Sequence, residues 1–342
     1  MMETDRKGGF KSFEEFLHHV RLACLAGVPD NRLVRQKTTG HMEIGDDAQG
    51  GFLCPEEWAD EILSVVMENA IVRPRAIVLK CNGDSLKIRR FVESTRATSY
   101  FGGITFTWAA EAASKTSGVT KPALGELELT PHKLIGSMWV SNELTADYEN
   151  FGNFMKLSFG RALAFEEDYY FIWGTGGNQP LGIMPSGAMI STARRSIGYF
   201  DIADIGNLGC RLLPGSWQNA VWLFNPMVLN GIANAAAAGT AGIMNLADFA
   251  CFGRPIIATE KCAVLGATGD VILADFSHYV IADRSIEISA SRDVPGSYGF
   301  LTDETFWRVV LRTDGQPLMV NPVTPKLGTN TLSSFVCLTA AS

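Results

Sequence analysis

The chain is poor in the residue patterns that most often carry chemistry. Its seven cysteines are odd in number and none are spaced as CxxC, so no zinc ribbon or dithiol redox motif is present, and buried free thiols in a reducing compartment are expected. The histidines His18, His19, His41, His132 and His278 show no HExxH or other zinc spacing. Positive charge is in deficit, with 29 Lys and Arg against 36 Asp and Glu, a formal net charge of -7 and a pI of about 5.3. A dedicated phosphate-gripping protein would show the opposite balance. Long apolar runs are missing too. MMETDRKGGF has no signal-peptide core, and residues 231–253 are mostly Ala and Gly, interrupted by Asn234, Asn245 and Asp248. The expectation is a soluble chain, cytoplasmic where it is made, with no membrane contact.

Other enzyme signatures fail in turn. GxSxG is absent, so Ser186 in MPSGAM has no nucleophile-elbow context. The glycines of WGTGGNQPLG invite a phosphate-loop reading, but no Lys-Ser or Lys-Thr follows and the cluster ends a helix instead of starting one. Glu166-Glu167 on a polar helix face and Asp46-Asp47 in a loop read as solvated charges, not as a general acid/base pair. No catalytic, cofactor-binding or metal-binding residue is assigned.

What is present is enough to fold. At 342 residues, 46% hydrophobic, the chain can bury a sizeable core in two domains or one large one. Residues 140–184 hold its strongest local signal. Phe151, Phe154, Met155, Ser158, Ala162, Phe165, Tyr169 and Ile172 recur three or four apart, with Lys156, Arg161, Glu166, Glu167 and Asp168 opposite. This spacing predicts a helix over 151–172 that is about 33 Å long at ~1.5 Å per residue. Asn150 is its expected N-cap and Gly174 its expected C′ glycine, and Gly174, Gly176, Gly177, Pro180 and Gly182 form the turn beyond.

Upstream, Ser12 and Glu15 resemble a capping box opening a helix through about Ala26, and a basic stretch with Arg32, Arg35 and Lys37 reads as solvated surface. Residues 52–74 read as a helix with Pro55 in its first turn, and 77–79 and 86–91 as strands around Asn82-Gly83-Asp84. Residues 95–131 read as a long hairpin whose Tyr100, Phe101, Ile104, Phe106 and Trp108 have no third strand nearby. Isolated hairpins are marginal in water, so it must lie on its own body or on a neighbour. Burying four aromatics gains roughly 15–25 kcal/mol gross, against an association cost of ~4–15 kcal/mol, so several such contacts are needed for a cooperative assembly. Beyond 196 the texture is α/β: a helix over 201–213, a strand over 220–224, a helix from Asn225-Pro226 to about 236, and strands at 255–258, 271–274 and 279–282. Strands at 306–320, with a turn at Asp314-Gly315, and at 334–339 close the chain.

In chain order, GGFLCPEEWADEIL, WAAE (Trp108 to Glu111), LTPHKL, SNEL, GTGGNQPLGI, AVWLFNP, FGRPIIAT, LADFSHYVIADR and LRTDG form an ordered set over residues 50–336. The set resembles the major capsid proteins of tailed bacteriophages, the family with the Hong Kong phage capsid fold. The resemblance implies an α+β subunit in five parts. These are an N-terminal arm (1–74), a peripheral domain with a spine helix (75–94 and 128–195), an extended hairpin loop (95–127), an axial α/β domain (196–305) and terminal strands of the peripheral domain (306–342). It implies that Tyr100, Phe101, Phe106, Trp108 and Glu111 of the loop contact a neighbouring subunit, and that 236–242 faces the axis of a hexamer or pentamer.

The resemblance also implies self-assembly, in the host bacterium's cytoplasm, into an icosahedral virion shell that encloses double-stranded DNA without sequence-specific binding. A portal is an expected partner, and, since only about 50 residues precede the match, so is a separate scaffolding protein, unless the short arm does that work. Some relatives join subunits through Lys–Asn isopeptide bonds, but Lys115, Lys121, Asn321 and Asn330 fit no crosslinking motif and read as solvated. Two alternatives stand beside this reading: an encapsulin-like nanocompartment holding an enzyme cargo, and a soluble monomeric α/β enzyme.

Overall fold

A computed structural model describes residues 7–26, 30–34, 52–98, 103–106, 108, 124–146, 148–195, 200, 202–229, 244–245, 250–291 and 303–340. Its elements are, in order, α1 (Phe13–Ala26), α2 (Asn31–Val34), β1 (Phe52–Leu53), α3 (Glu56–Asn69), β2 (Ile77–Lys80), β3 (Leu86–Phe91), β4 (Leu124–Leu129), β5 (His132–Ser141), α4 (Asn142–Ala146) and α5 (Tyr148–Trp173). There follow β6 (Ile190–Ala193), α6 (Ile202–Gly209), β7 (Val221–Phe224), β8 (Met244–Asn245), β9 (Ala250–Cys251), β10 (Arg254–Ala258), β11 (Val271–Ala274), β12 (Tyr279–Ser291), β13 (Glu304–Pro317) and β14 (Phe335–Thr339).

Two sheets organise the body. The first runs β1-β12-β13-β5, with β2 also on β12, and the long β12–β13 pair is antiparallel. Alternation decides its faces: Trp307, Val309 and Leu311 on β13 and Ile286, Ile288 and Ala290 on β12 are buried in one apolar cluster. That cluster also takes Phe13, Phe16, Leu17 and Val20 of α1, Trp58, Ile62 and Val66 of α3, and Met155, Phe159 and Leu163 of α5. Residues 1–74 therefore do not form a separate arm where they are described. The apolar faces of α1 and α3 are long enough to be buried, α1 on this sheet and α3 against α5 and the aromatics of α1.

The second sheet has the order β6-β14-β11-β7-β10-β9-β8. VWLF of β7 and VILA of β11 are buried at every position, the pattern of strands covered on both faces. Its strand order corrects the expected boundaries. β12 and β13 pair along their length in the first sheet, whereas β14 lies between β6 and β11 of the second. Divisions at 196 and 306 thus cut across both sheets. Asp314-Gly315 is not a turn but continuous strand: Asp314 accepts from the Thr130 N–H at 2.8 Å, and a Cβ on Gly315 would lie 2.7 Å from the Tyr279 ring. The 201–213 helix is shorter than expected, at Ile202–Gly209; Asn225 opens a 3-10 turn, Pro226–Val228, with Leu229 helical after it, and the rest of the helix expected to about 236 lies outside the described residues. Residues 230–243, with the proposed axis-facing loop, lie outside the described residues.

The spine helix exists and is longer than its periodicity indicates, Tyr148–Trp173, so Asn150 lies inside it instead of capping it. Its buried row is also turned. Phe151, Met155, Phe159, Leu163, Glu167 and Phe171 are buried in i, i+4 steps, while Phe154, Phe165 and Tyr169 of the expected apolar face are half-exposed. The helix meets α3 at Gly160, where a Cβ would fall 2.7 Å from Val65 Cγ1, and this crossing sets the rotation.

Candidate assembly surface and the junction behind it

Three features stand out from this framework: a ribbon that leaves the body, the glycine corner at the end of α5, and a buried ionic junction.

β2 and β3, adjacent in sequence, do not pair with each other. β3 pairs with β4 across the intervening chain, Leu86 with Leu129 through Phe91 with Leu124, as a two-stranded ribbon. The base is fixed to the body. Leu129 is buried with Cys81, Val280 and Ala282, and Leu86 and Ile88 pack beside them. Arg90 Nη1 donates to the carbonyls of Pro317 at 3.3 Å and Leu318 at 3.0 Å, and the Gln316 side chain donates to the Glu128 carbonyl at 3.0 Å. Further out, the Arg96 N–H donates to the Thr324 carbonyl at 2.8 Å. Beyond these contacts Phe106 is 84% and Trp108 105% exposed. Leaving that much aromatic surface in water is costly, and such patches mark interfaces. Tyr100, Phe101 and Glu111, and also Lys115 and Lys121, lie outside the described residues; Asn321 and Asn330 are exposed.

The glycine corner turns the chain back along the end of α5. The orphan carbonyls of the last turn are met by returning amides: Ile183 N–H donates to Phe171 at 3.0 Å and Met184 N–H to Ile172 at 2.9 Å. Leu181 N–H bonds Gly315 of β13 at 2.8 Å, and Gly182 N–H bonds Gly174 at 2.7 Å. Gly174 is not the left-handed cap expected. The positive φ values belong to Gly176 (79°) and Gly177 (83°). Gly174 is needed for space instead, since its Cβ would lie 2.3 Å from the Pro180 carbonyl oxygen, and a Cβ on Gly182 would lie 2.6 Å from the Ile172 carbonyl. No phosphate-cradling loop results, because the amides of Gly182, Ile183 and Met184 are spent on the helix end.

Beside this corner sits a charged cluster whose acids, expected on a solvated helix face, are buried. Glu167 and Asp168 are 2% and 0% exposed. Arg73, also 2% exposed, donates to both Glu167 oxygens, Nε at 2.9 Å and Nη2 at 2.6 Å. On its other side it pairs with Asp283, Nη1 to Oδ2 and Nη2 to Oδ1, and Asp283 Oδ1 also accepts from Thr313 at 3.0 Å. A β-bulge directly after Asp283 breaks the β12 register there. Asp168 points the other way, accepting from the Ile71 and Val72 N–H groups at 2.8 and 2.9 Å and from Lys261 Nζ at 3.0 Å. Burial pushes Glu167 up to about 7, more than the Arg73 charge pulls it down, and Asp283 and Asp168 push the same way. Helical spacing alone puts these acids on the exposed face, because their partners lie far away in the chain. The available signal was Arg73 itself, set within the apolar run IVRPRAIV.

A body of two sheets clamped on one long helix, with an aromatic ribbon standing clear of it, has the architecture of a subunit built to be completed by neighbours. The chain belongs to the phage capsid family, whose model matches residues 50–325. It is a major capsid protein and adopts the Hong Kong phage-type capsid fold. Among solved structures it is similar to the capsid of a native GTA particle, with 17% identity over 79% of this chain and 90% of that one and a TM-score of 0.54. Structures from Mycobacterium phage Bobi (14% identity, 80% and 91% covered, TM-score 0.54) and Mycobacterium phage Cain (14%, 80% and 90%, 0.55) are similar to it as well. No curated protein sequence matches the chain. The family gives the protein a structural role in a shell of capsid subunits, located in the virion.

Proposed function

We propose that copies of this chain assemble as hexamers and pentamers into an icosahedral shell around double-stranded phage DNA, with no catalysis of their own. The observation that carries this reading is the ribbon: its base is bonded to the body while Phe106 and Trp108 beyond it touch almost nothing. In the shell they cover a neighbouring subunit. The first sheet with its helices serves as the peripheral domain, and the second sheet serves as the axial domain whose loops meet at the capsomer centre. The net charge of -7 suits a wall that encloses DNA without gripping it. Assembly takes place in the bacterial cytoplasm with a portal and a separate scaffolding protein, and the loop lysines stay solvated.

Electron microscopy of the purified protein, with absorbance at the nucleic-acid and protein maxima, tests the proposal. Icosahedral particles that carry DNA from infected cells support it. Particles that hold a co-purified enzyme instead favour a nanocompartment, and a monomer at every salt concentration overturns the shell altogether. A ladder of covalent multimers on denaturing gels would overturn the reading of the lysines.

A further inference from the structure

The junction around Arg73 holds more negative than positive charge. Three carboxylates, Glu167, Asp168 and Asp283, meet two cations, Arg73 and Lys261. Lys261 belongs to Asp168, which lies on the side of the helix turned to the second sheet. Arg73 is left to serve two carboxylates at once, and with Asp283 further satisfied by Thr313, Glu167 is the surplus charge. Glu167 also lines a cavity of about 150 Å³, open to solvent between β5, β13 and the glycine corner, with His132 and Lys133 of β5 and Tyr170 of α5 in its walls. The elements meeting here are α5, the segment after α3, the bulged strand β12 of the first sheet and, through Lys261, the chain beyond β10 of the second.

We propose that this junction is a proton-operated clasp: protonated Glu167 lets α5 be held tightly between the two sheets, and ionised Glu167 loosens that hold. The proton leaves a Glu167 oxygen for water through the cavity, and no other bond changes. Ionised, the cluster keeps an unbalanced charge away from bulk water; protonated, Glu167 still accepts from Arg73 through its carbonyl oxygen, Asp283 takes the ion pair, and the cluster is neutral. The carboxyl titrates near 7 when folded and near 4.5 when not, so folding takes up a proton in between. The sign follows: the contribution is fully present below about pH 4.5 and is lost as pH rises through 7. The clasp concerns the subunit itself and stands whether or not the shell is the one proposed above.

The full-length chain is unfolded in denaturant from pH 5 to 8, and Glu167→Gln is compared with the wild type. The wild type should lose up to roughly 100-fold in its folding constant relative to the variant across that range. If Glu167→Gln does not fold, Asp283→Asn should remove the same pH slope, because Glu167 then has Arg73 to itself. Hydrogen exchange of the Ile71 and Val72 amides, corrected for intrinsic rates, should quicken as pH rises from 5 to 7 and level off above it, in the wild type only. A wild type without the slope overturns the clasp, as does a slope that survives in both variants. A slope that disappears instead in His132→Gln assigns the titration to the cavity-wall imidazole and overturns it too.

Discussion

Gly160 and Val65 touch at the crossing of α5 and α3, so closely that a Cβ on Gly160 would stand 2.7 Å from a Val65 methyl and 3.5 Å from the Ile62 carbonyl. The long helix therefore rests on the shorter one at a point with no spare room. Gly160→Leu should destabilise the subunit by about 1–3 kcal/mol through overpacking. Val65→Ala, costly alone, should recover part of that loss when combined with Gly160→Leu. Denaturant unfolding of the four proteins in the cycle gives the coupling energy, and strict additivity would show that the crossing is looser than described.

The ribbon separates folding from assembly. Trp108→Asp and Phe106→Asp replace side chains that contribute almost nothing to the single subunit, so its stability should change by less than ~0.5 kcal/mol. Particle yield should fall at least tenfold, read by sedimentation at equal soluble concentration. Loss of soluble subunit would instead mean that the ribbon packs on its own body.

Within the glycine corner, space and conformation make different demands. A Cβ on Gly177 meets nothing within 4 Å, and only its φ of 83° resists substitution. Gly177→Ala should cost about 1 kcal/mol, the ordinary penalty of a left-handed residue. Gly182→Ala drives a Cβ into the Ile172 carbonyl and should cost more than 2 kcal/mol, with the loss of the helix-end hydrogen bonds. Equal losses in chemical denaturation would contradict this division.

Removing Arg73 strips two buried carboxylates of their cation. Arg73→Met should cost about 3–5 kcal/mol at pH 8 and less at pH 5, where Glu167 is protonated. The pair Arg73→Met with Glu167→Leu should recover much of that loss, because the charge that needs the arginine is gone. Thermal melting at the two pH values checks both statements.

The parts legible in sequence were those encoded within a few turns. A 26-residue helix survives errors at its ends because its periodicity is long, and VWLF and VILA read as buried strands from their composition alone. The rotation of α5 was not legible. Phe154, Phe165 and Tyr169 are apolar yet half-exposed, while Glu167 and Asp168 are charged yet buried, and only Arg73 and Lys261, far away in the chain, explain the exchange. The same limit hid the pairing of β3 with β4 and the place of β14, since register between distant strands leaves no local mark. Of the expected loop contacts, Phe106 and Trp108 stand exposed as an interface requires, and nothing in their neighbours along the chain says which surface receives them.

The position of β14 also has a meaning in time. It is the last strand to be synthesised of the fourteen described, yet it lies inside its sheet, joining β6, made almost 150 residues earlier, to β11. Among the described strands, the first sheet takes none beyond β13. A nascent chain can thus finish the half built around the spine helix while the other half still has an open seam. A chain that stops before β14 leaves that seam unfilled, with the backbone edge of β11 unpaired. The sheet of β6 and β11 is therefore closed only once the residues through Thr339 have been made.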